Sequence, residues 1–290
     1  MDQTLLRDIS YAPSARSKPA QAFIRTIENV TGRRHLLKRA RASIEAQEET
    51  RDFWRAMMRA YGLQVELVKG SLDFIPERGP LVVIANHPFG ILDGLVMGYL
   101  LDGLRRDFRI MAHSAFQAAP EVARHILPID FSGTQAAEKA NLKTRSDAIT
   151  YLRSGGTVGI FPGGTVSTAQ RPFQRASDPQ WRLFSARMIQ RSGATVVPIW
   201  FDGANSRLFQ LASHLNYTLR MALLIREFKA RVNRPVRMSI GRPIGPDLLA
   251  RFQGQPKEMM DFLRAATYGM ADTPLDPMQL GYEFEGAYRH

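Results

Sequence analysis

The chain has 290 residues, 44% of them hydrophobic, enough to bury a full core in one large domain or in one domain with an appended arm. With no cysteine it has no disulfide framework, thiolate metal site or thiol nucleophile, which leaves hydroxyl, imidazole and carboxylate chemistry. A formal net charge of +12 calls for an anionic partner (nucleic acid, an acidic protein or an anionic membrane surface) unless it only solvates the surface. Paired Cys/His finger spacing, an aromatic RNP-like strand and a dense basic arm are all missing, so no nucleic-acid partner is expected. No apolar run reaches the roughly 18 residues of a spanning helix, and the first thirty residues hold no apolar core of a secretory signal. A cytoplasmic protein without a transmembrane span is the expectation.

Residues 1–20, rich in Ser, Ala, Pro and Arg, read as a loosely held arm. From about 21 to 63 the pattern is helical, in AFIRTIENVTG, RRHLLKRARASIEAQ and TRDFWRAMMRAYGL. In the last of these Phe53, Trp54, Met57, Met58 and Tyr61 recur at helical spacing, while Arg51, Arg55 and Arg59 fall on another face. That pattern suits either a helix packed on the core or one lying at a membrane interface. From residue 64 the texture changes to β-rich runs, VELVKG, LVVIAN, FRIMAH, TVGIFP, TVVPIWF and VRMSIG, with helical segments around 135–153 and 179–192. The alternation predicts an α/β fold, a largely parallel or mixed sheet flanked by helices, preceded by a helical N-terminal region. The division expected is 1–63 for the arm and amphipathic helices, a candidate membrane-docking region, 64–271 for the α/β domain and 272–290 for a C-terminal tail.

In such sheets the loops leaving the carboxyl ends of strands carry the chemistry. "NHPFGILDG" places His87 just past the strand LVVIA and Asp93 six positions on. Six residues of regular helix rotate by about 600° and would put the two on nearly opposite faces. Pro88 and Gly90 permit a turn instead, so that Asp93 sits near the start of the helix GLVMGYLLDG and His87 folds back onto it. A carboxylate on one imidazole nitrogen leaves the other as a general base, although a plain N-cap beside a buried loop histidine fits the same residues. G-x-S-x-G is absent, so direct activation of a substrate hydroxyl is simpler than a serine nucleophile. "FPGGTVS", residues 161–167, has the glycines and hydroxyls of a backbone cradle for an oxyanion, or of a sharp turn. No clustered ligands suggest a metal, and no cofactor is expected.

In this order "NHPFGILDG", "FPGGTVS", "VVPIWFDGANSRLF" and "IGRPI" resemble the glycerolipid and lysophospholipid acyltransferase family, the PlsC-like enzymes, and more narrowly their hemolysin-like bacterial branch. The resemblance covers about residues 64–245. It implies His87 as general base and Asp93 as the group that orients it, with five intervening residues where the family usually has four. The family's glycine block usually reads Phe-Pro-Glu-Gly-Thr-Arg-Ser, its Glu and Arg being associated with an acceptor phosphate. Here Phe161, Pro162, Gly164, Thr165 and Ser167 match, while Gly163 and Val166 replace the two charged residues. Arg171, Arg175 or Arg207 could supply the missing charge, or could be solvated surface residues, and Asp130 in "IDFSGT" lies near a second acceptor-contact block.

The reaction so implied is transfer of a fatty acyl group from acyl carrier protein or coenzyme A to the hydroxyl of a lysophospholipid of the 1-acylglycerol-3-phosphate type. Lysophosphatidate is the family default, and with Glu and Arg replaced another lysolipid, including an amino-acid-containing one, is its competitor. Backbone amides near Gly163 to Thr165 would hold the oxyanion, and the basic protein would sit as a peripheral, monotopic enzyme on an anionic membrane at the cytoplasmic face of the inner membrane. Two rivals keep the pair but not the reaction: a lipid esterase or phospholipase that activates water, and a catalytically silent lipid-binding protein.

Overall fold

The computed structural model describes residues 10–15, 17–45, 52–118, 120–130 and 133–284. Arg51, residues 1–9 of the arm and residues 285–290 of the tail lie outside the described residues. In chain order the elements begin with α1 (Lys18–Glu28), a π-type turn (Asn29–Arg33), α2 (Arg34–Glu45), α3 (Phe53–Ala60) and β1 (Gln64–Lys69). Then come β2 (Leu81–Ala85), α4 (Ile91–Arg105), β3 (Arg109–His113), α5 (Pro120–Ala123), β4 (Ile126–Ile129), α6 (Gln135–Arg153) and β5 (Thr157–Ile160). The chain closes with α7 (Leu183–Ser192), β6 (Thr195–Phe201), α8 (Arg207–Leu215), α9 (Tyr217–Arg231), β7 (Pro235–Ile240), α10 (Pro246–Leu249) and α11 (Pro256–Tyr268).

The strands form a seven-stranded sheet in the order β1-β7-β6-β2-β5-β3-β4. Every neighbouring pair is parallel except β6 with β7, so this is the mixed, mostly parallel sheet that the alternation of strands and helices predicts. In β2, Leu81, Val83 and Ala85 join a core with Leu36, Trp54, Met57, Leu92 and Val96 on one face. Val82 and Ile84 join Ala148, Leu152, Met188 and Leu263 on the other. Burial on both faces is why LVVIA reads as an unbroken apolar run. β4, ILPI, is a strand that the sequence pattern does not announce, because Pro128 interrupts it. It pairs with β3 at the sheet edge, where a missing amide is tolerated.

The helical N-terminal region shares the core of the α/β domain. Ile24 and Leu36 are wholly buried, and the apolar face of α3 is buried through Trp54, Met57 and Met58. For this helix the structure shows core packing and not an apolar face left for lipid. Residues 10–15 are likewise held, not loose: the Tyr11 N–H donates to Glu28 Oε1 at 2.7 Å, and Glu28 is fully buried. The exposed side of α2 carries Arg34, Lys38 and Arg41.

Gly98 on α4 makes the α3 contact possible, since a Cβ there would lie 2.2 Å from the Trp54 ring. Gly98→Val should therefore destabilise the protein by about 2–3 kcal/mol through overpacking. A lower urea midpoint at unchanged m-value is the expected readout; an unchanged midpoint would contradict this packing.

Candidate active site

Loops from three adjacent central strands, β5, β2 and β6, meet at the carboxyl end of the sheet. At the end of β2 the Asn86 side chain donates to Phe201 O at 2.9 Å and accepts the Phe201 N–H at 2.7 Å, which ties this loop to β6. The chain then turns at Gly90, whose φ of 83° is open to glycine at little cost, and enters α4 with Asp93 in the first turn. Asp93 Oδ2 accepts from His87 Nδ1 at 2.9 Å, from the Phe89 N–H at 2.8 Å and from the Gly90 N–H at 3.0 Å. The turn inferred from Pro88 and Gly90 thus does what a regular helix could not.

Asp93 is fully buried, and burial pushes its carboxyl above the ordinary carboxylate range against the opposing hydrogen bond and charge of His87 and the two amides. With an ionised Oδ2 as acceptor, the consistent tautomer carries its proton on Nδ1 and leaves the lone pair on Nε2. The His87 side chain is 18% exposed, and among the described residues Nε2 makes no hydrogen bond. The imidazole stacks on Phe161 at a centroid distance of 4.2 Å, so the glycine loop after β5 forms one wall beside His87.

In that loop the Gly164 N–H closes a turn on Phe161 O at 3.0 Å. The N–H groups of Gly163 and Thr165 have no acceptor among the described residues. Ser167 N–H donates to His87 O at 2.8 Å, joining the two loops. Behind them lies Arg220, 1% exposed. It donates to Val166 O at 2.7 Å, Thr165 Oγ1 at 3.2 Å, Thr168 Oγ1 at 2.6 Å and Ser213 Oγ at 2.8 Å. Burial pulls its guanidinium down to about 9, which still leaves it charged near neutral pH.

Of the residues singled out from sequence, His87, Asp93, Phe161, Gly163, Gly164 and Thr165 come together. Pro162 and Ser167 are buried in the loop, and the Ser167 hydroxyl is donated to Asp178 instead of being presented to a substrate. Asp130 stands at the end of β4, its main chain clasped by Asn141, three strands from β2 and thus roughly 14 Å across the sheet from the base. Arg207 is exposed at the start of α8 with no hydrogen bond or ion pair among the described residues. Arg171 is exposed, and Arg175 reaches only Pro274 O at 3.3 Å. "IGRPI" runs back along β6, with Ile244 pairing Val196, toward the end of the sheet remote from His87.

The two departures from the family's glycine block have a packing cause. Val166 is 6% exposed, inside a cluster with Ile24, Phe209 and Leu224. A Cβ at Gly163 would lie 3.2 Å from Asp178 Cβ. Asn86, Asp178 and Arg220 went unmarked in the sequence; only Asn86, beside His87, had a local signal. Among the described residues no group of three or more His, Asp or Glu is placed to hold a metal ion.

A strand-end imidazole hydrogen-bonded to a buried carboxylate lies beside a glycine turn whose Gly163 and Thr165 amides have no acceptor among the described residues. Residues 67–202, which contain both loops, match the family model described as Acyltransferase. The match spans 136 of the 290 residues, and over them the chain is similar to that family. Lyso-glycine lipid O-acyltransferase of Phocaeicola vulgatus is 26% identical over 200 residues, covering 67% of this chain and 68% of that protein. The protein of the same name from Bacteroides thetaiotaomicron is 27% identical over 202 residues, covering 67% of this chain and 70% of its own length. The solved structure of 1-acyl-sn-glycerophosphate (LPA) acyltransferase, PlsC, from Thermotoga maritima covers 84% of this chain and 96% of that one at 16% identity, a loose likeness with a TM-score of 0.42.

A raised Asp93 carboxyl means that ionisation costs more in the folded than in the unfolded chain, so its contribution favours the fold at low pH and is lost as pH rises through the folded value. Asp93→Asn should then lower kcat by about 10³ to 10⁴ while leaving the melting temperature at pH 8 equal to or above wild type. The stability difference should shrink on acidification. A variant less stable than wild type at pH 8 would contradict this reading of the carboxylate.

Proposed function

We propose that this acyltransferase moves a fatty acyl group from a thioester donor, acyl carrier protein or coenzyme A, to the free hydroxyl of a lysolipid. The observation that carries the proposal is the His87–Asp93 hydrogen bond of 2.9 Å, with Nε2 left open beside the Phe161 loop. His87 removes the hydroxyl proton as the oxygen attacks the thioester carbonyl, and Asp93 stabilises the imidazolium. The free N–H groups of Gly163 and Thr165 stabilise the oxyanion. Collapse of the tetrahedral intermediate expels the thiolate, which takes the proton back from His87. No acyl-enzyme forms.

For the acceptor we favour an amino-acid-containing lysolipid, in line with the names of the two relatives, over 1-acylglycerol-3-phosphate. The glycine loop has no charged side chain to grip a phosphate, since Gly163 is packed on Asp178 and Val166 lies in the core. Purified protein given labelled palmitoyl thioesters and a panel of lysolipids should make donor-dependent diacyl product from lyso-glycine lipid, with a loss of at least about 10³ in His87→Ala. Product from lysophosphatidate alone would overturn the acceptor choice. Fatty acid released without a thioester would indicate an esterase, and lipid binding without turnover a silent binding protein.

The membrane reading rests on charge and exposed apolar surface. No helix of the described residues is long and apolar enough to cross a membrane. Arg34, Lys38 and Arg41 line the outer side of α2, and Leu208 and Leu215 of α8 are 50% and 78% exposed. Near an anionic surface each such cation contributes about 1 kcal/mol. Sedimentation with anionic vesicles should be lost in high salt and weakened by Arg34→Glu with Lys38→Glu. Binding indifferent to salt and to lipid charge would refute docking at the cytoplasmic face of the inner membrane by electrostatics.

A further inference from the structure

Asp178, in the segment between the glycine loop and α7, is a wholly buried carboxylate. Its Oδ1 accepts the His87 N–H at 3.2 Å and the Ser167 hydroxyl, and its Oδ2 accepts the Trp181 Nε1–H at 3.0 Å. The main chain of Asp178 is itself gripped from behind. Its N–H donates to the Tyr268 hydroxyl at 2.8 Å, and its carbonyl accepts from Arg264 Nη2 at 3.0 Å and from the Gly281 N–H at 2.7 Å. The Ser167 N–H, in turn, donates to His87 O at 2.8 Å. Residue 87 is thus held at both its amide and its carbonyl, within a closed ring of hydrogen bonds through Asp178 and Ser167.

We propose that Asp178 is a positioning residue for the general base, fixing the His87 main chain so that its imidazole meets both Asp93 and the acceptor hydroxyl. A buried carboxylate is costly unless its acceptors are used, and here donors occupy both oxygens. Asparagine cannot replace it: turned either way, its amide nitrogen faces the Trp181 N–H or the His87 and Ser167 donors. The same carboxylate accounts for glycine at 163, since a Cβ there would lie 3.2 Å from Asp178 Cβ and 3.4 Å from its Cγ. Asp178 touches no substrate; it acts on the reaction through His87. The inference rests on the reading of His87 as the base, and its test separates the two.

Asp178→Asn should lower kcat by about 10- to 100-fold, the usual cost of losing an outer-shell orienting partner, with KM for donor and acceptor within twofold. The downfield proton resonance of the His87 Nδ1–H, assigned by its absence in His87→Ala, should shift or broaden although Asp93 is intact. If Asp178→Asn does not fold, Ser167→Ala, which takes one donor from Oδ1, should show the same pattern with a kcat loss of about threefold. An unchanged resonance and kcat in either folded variant, or a loss carried wholly by KM, would overturn the proposal. A resonance that shifts in a protein without acyl-transfer activity would instead sink the acyltransfer reading and leave the positioning role standing.

Discussion

The site depends on one buried carboxyl group. Asp93 is sealed from water at the start of α4, and a carboxylate in that position is tolerable only if donors converge on it. Two of those donors are the amides of Phe89 and Gly90, which become available because Gly90 takes a positive φ. The third is His87. The geometry that brings three donors to Oδ2 is therefore also the geometry that orients the His87 imidazole. Solvation of the carboxylate and alignment of the imidazole are one arrangement.

Around it the two loops behave as a single body. The His87 turn is tied to β6 through Asn86, and to the glycine loop through Ser167 and the stacked Phe161 ring. Behind the glycine loop sit two buried polar side chains, Asp178 among donors and Arg220 among neutral acceptors. Each spends its hydrogen-bonding capacity on holding the loop. Rigid support of this kind allows a half-buried imidazole and two unused amides to keep their relation.

The same packing bears on specificity. In a loop that resembles Phe-Pro-Glu-Gly-Thr-Arg-Ser, glycine at 163 makes room for Asp178, and valine at 166 fills a cluster between α1, α8 and α9. The charged groups beside the loop, Asp178 and Arg220, are buried on its supporting side, which leaves its open side without a charged side chain.

Much of the fold was legible because it follows from local periodicity. LVVIA and TVVPIWF are apolar on both faces, so they had to be central strands, and the helical segments between them had to cover the sheet. β4 escaped because a proline at a sheet edge leaves no periodic signal. For the helix of Trp54 and Met57 the sequence favoured the core without excluding a membrane, because amphipathicity states that a face must be covered and not what covers it. The His87–Asp93 pair was readable, since a proline and a glycine between the two residues imply a turn. Asp178 and Arg220 were not, because their partners lie far away in the chain and a buried charge has no local signature. The sequence by itself determined the layers and the turn that can bring His87 back to Asp93; only the tertiary structure decided which charges stay at the surface and which are consumed in support, because that depends on what the folded chain brings against each side chain.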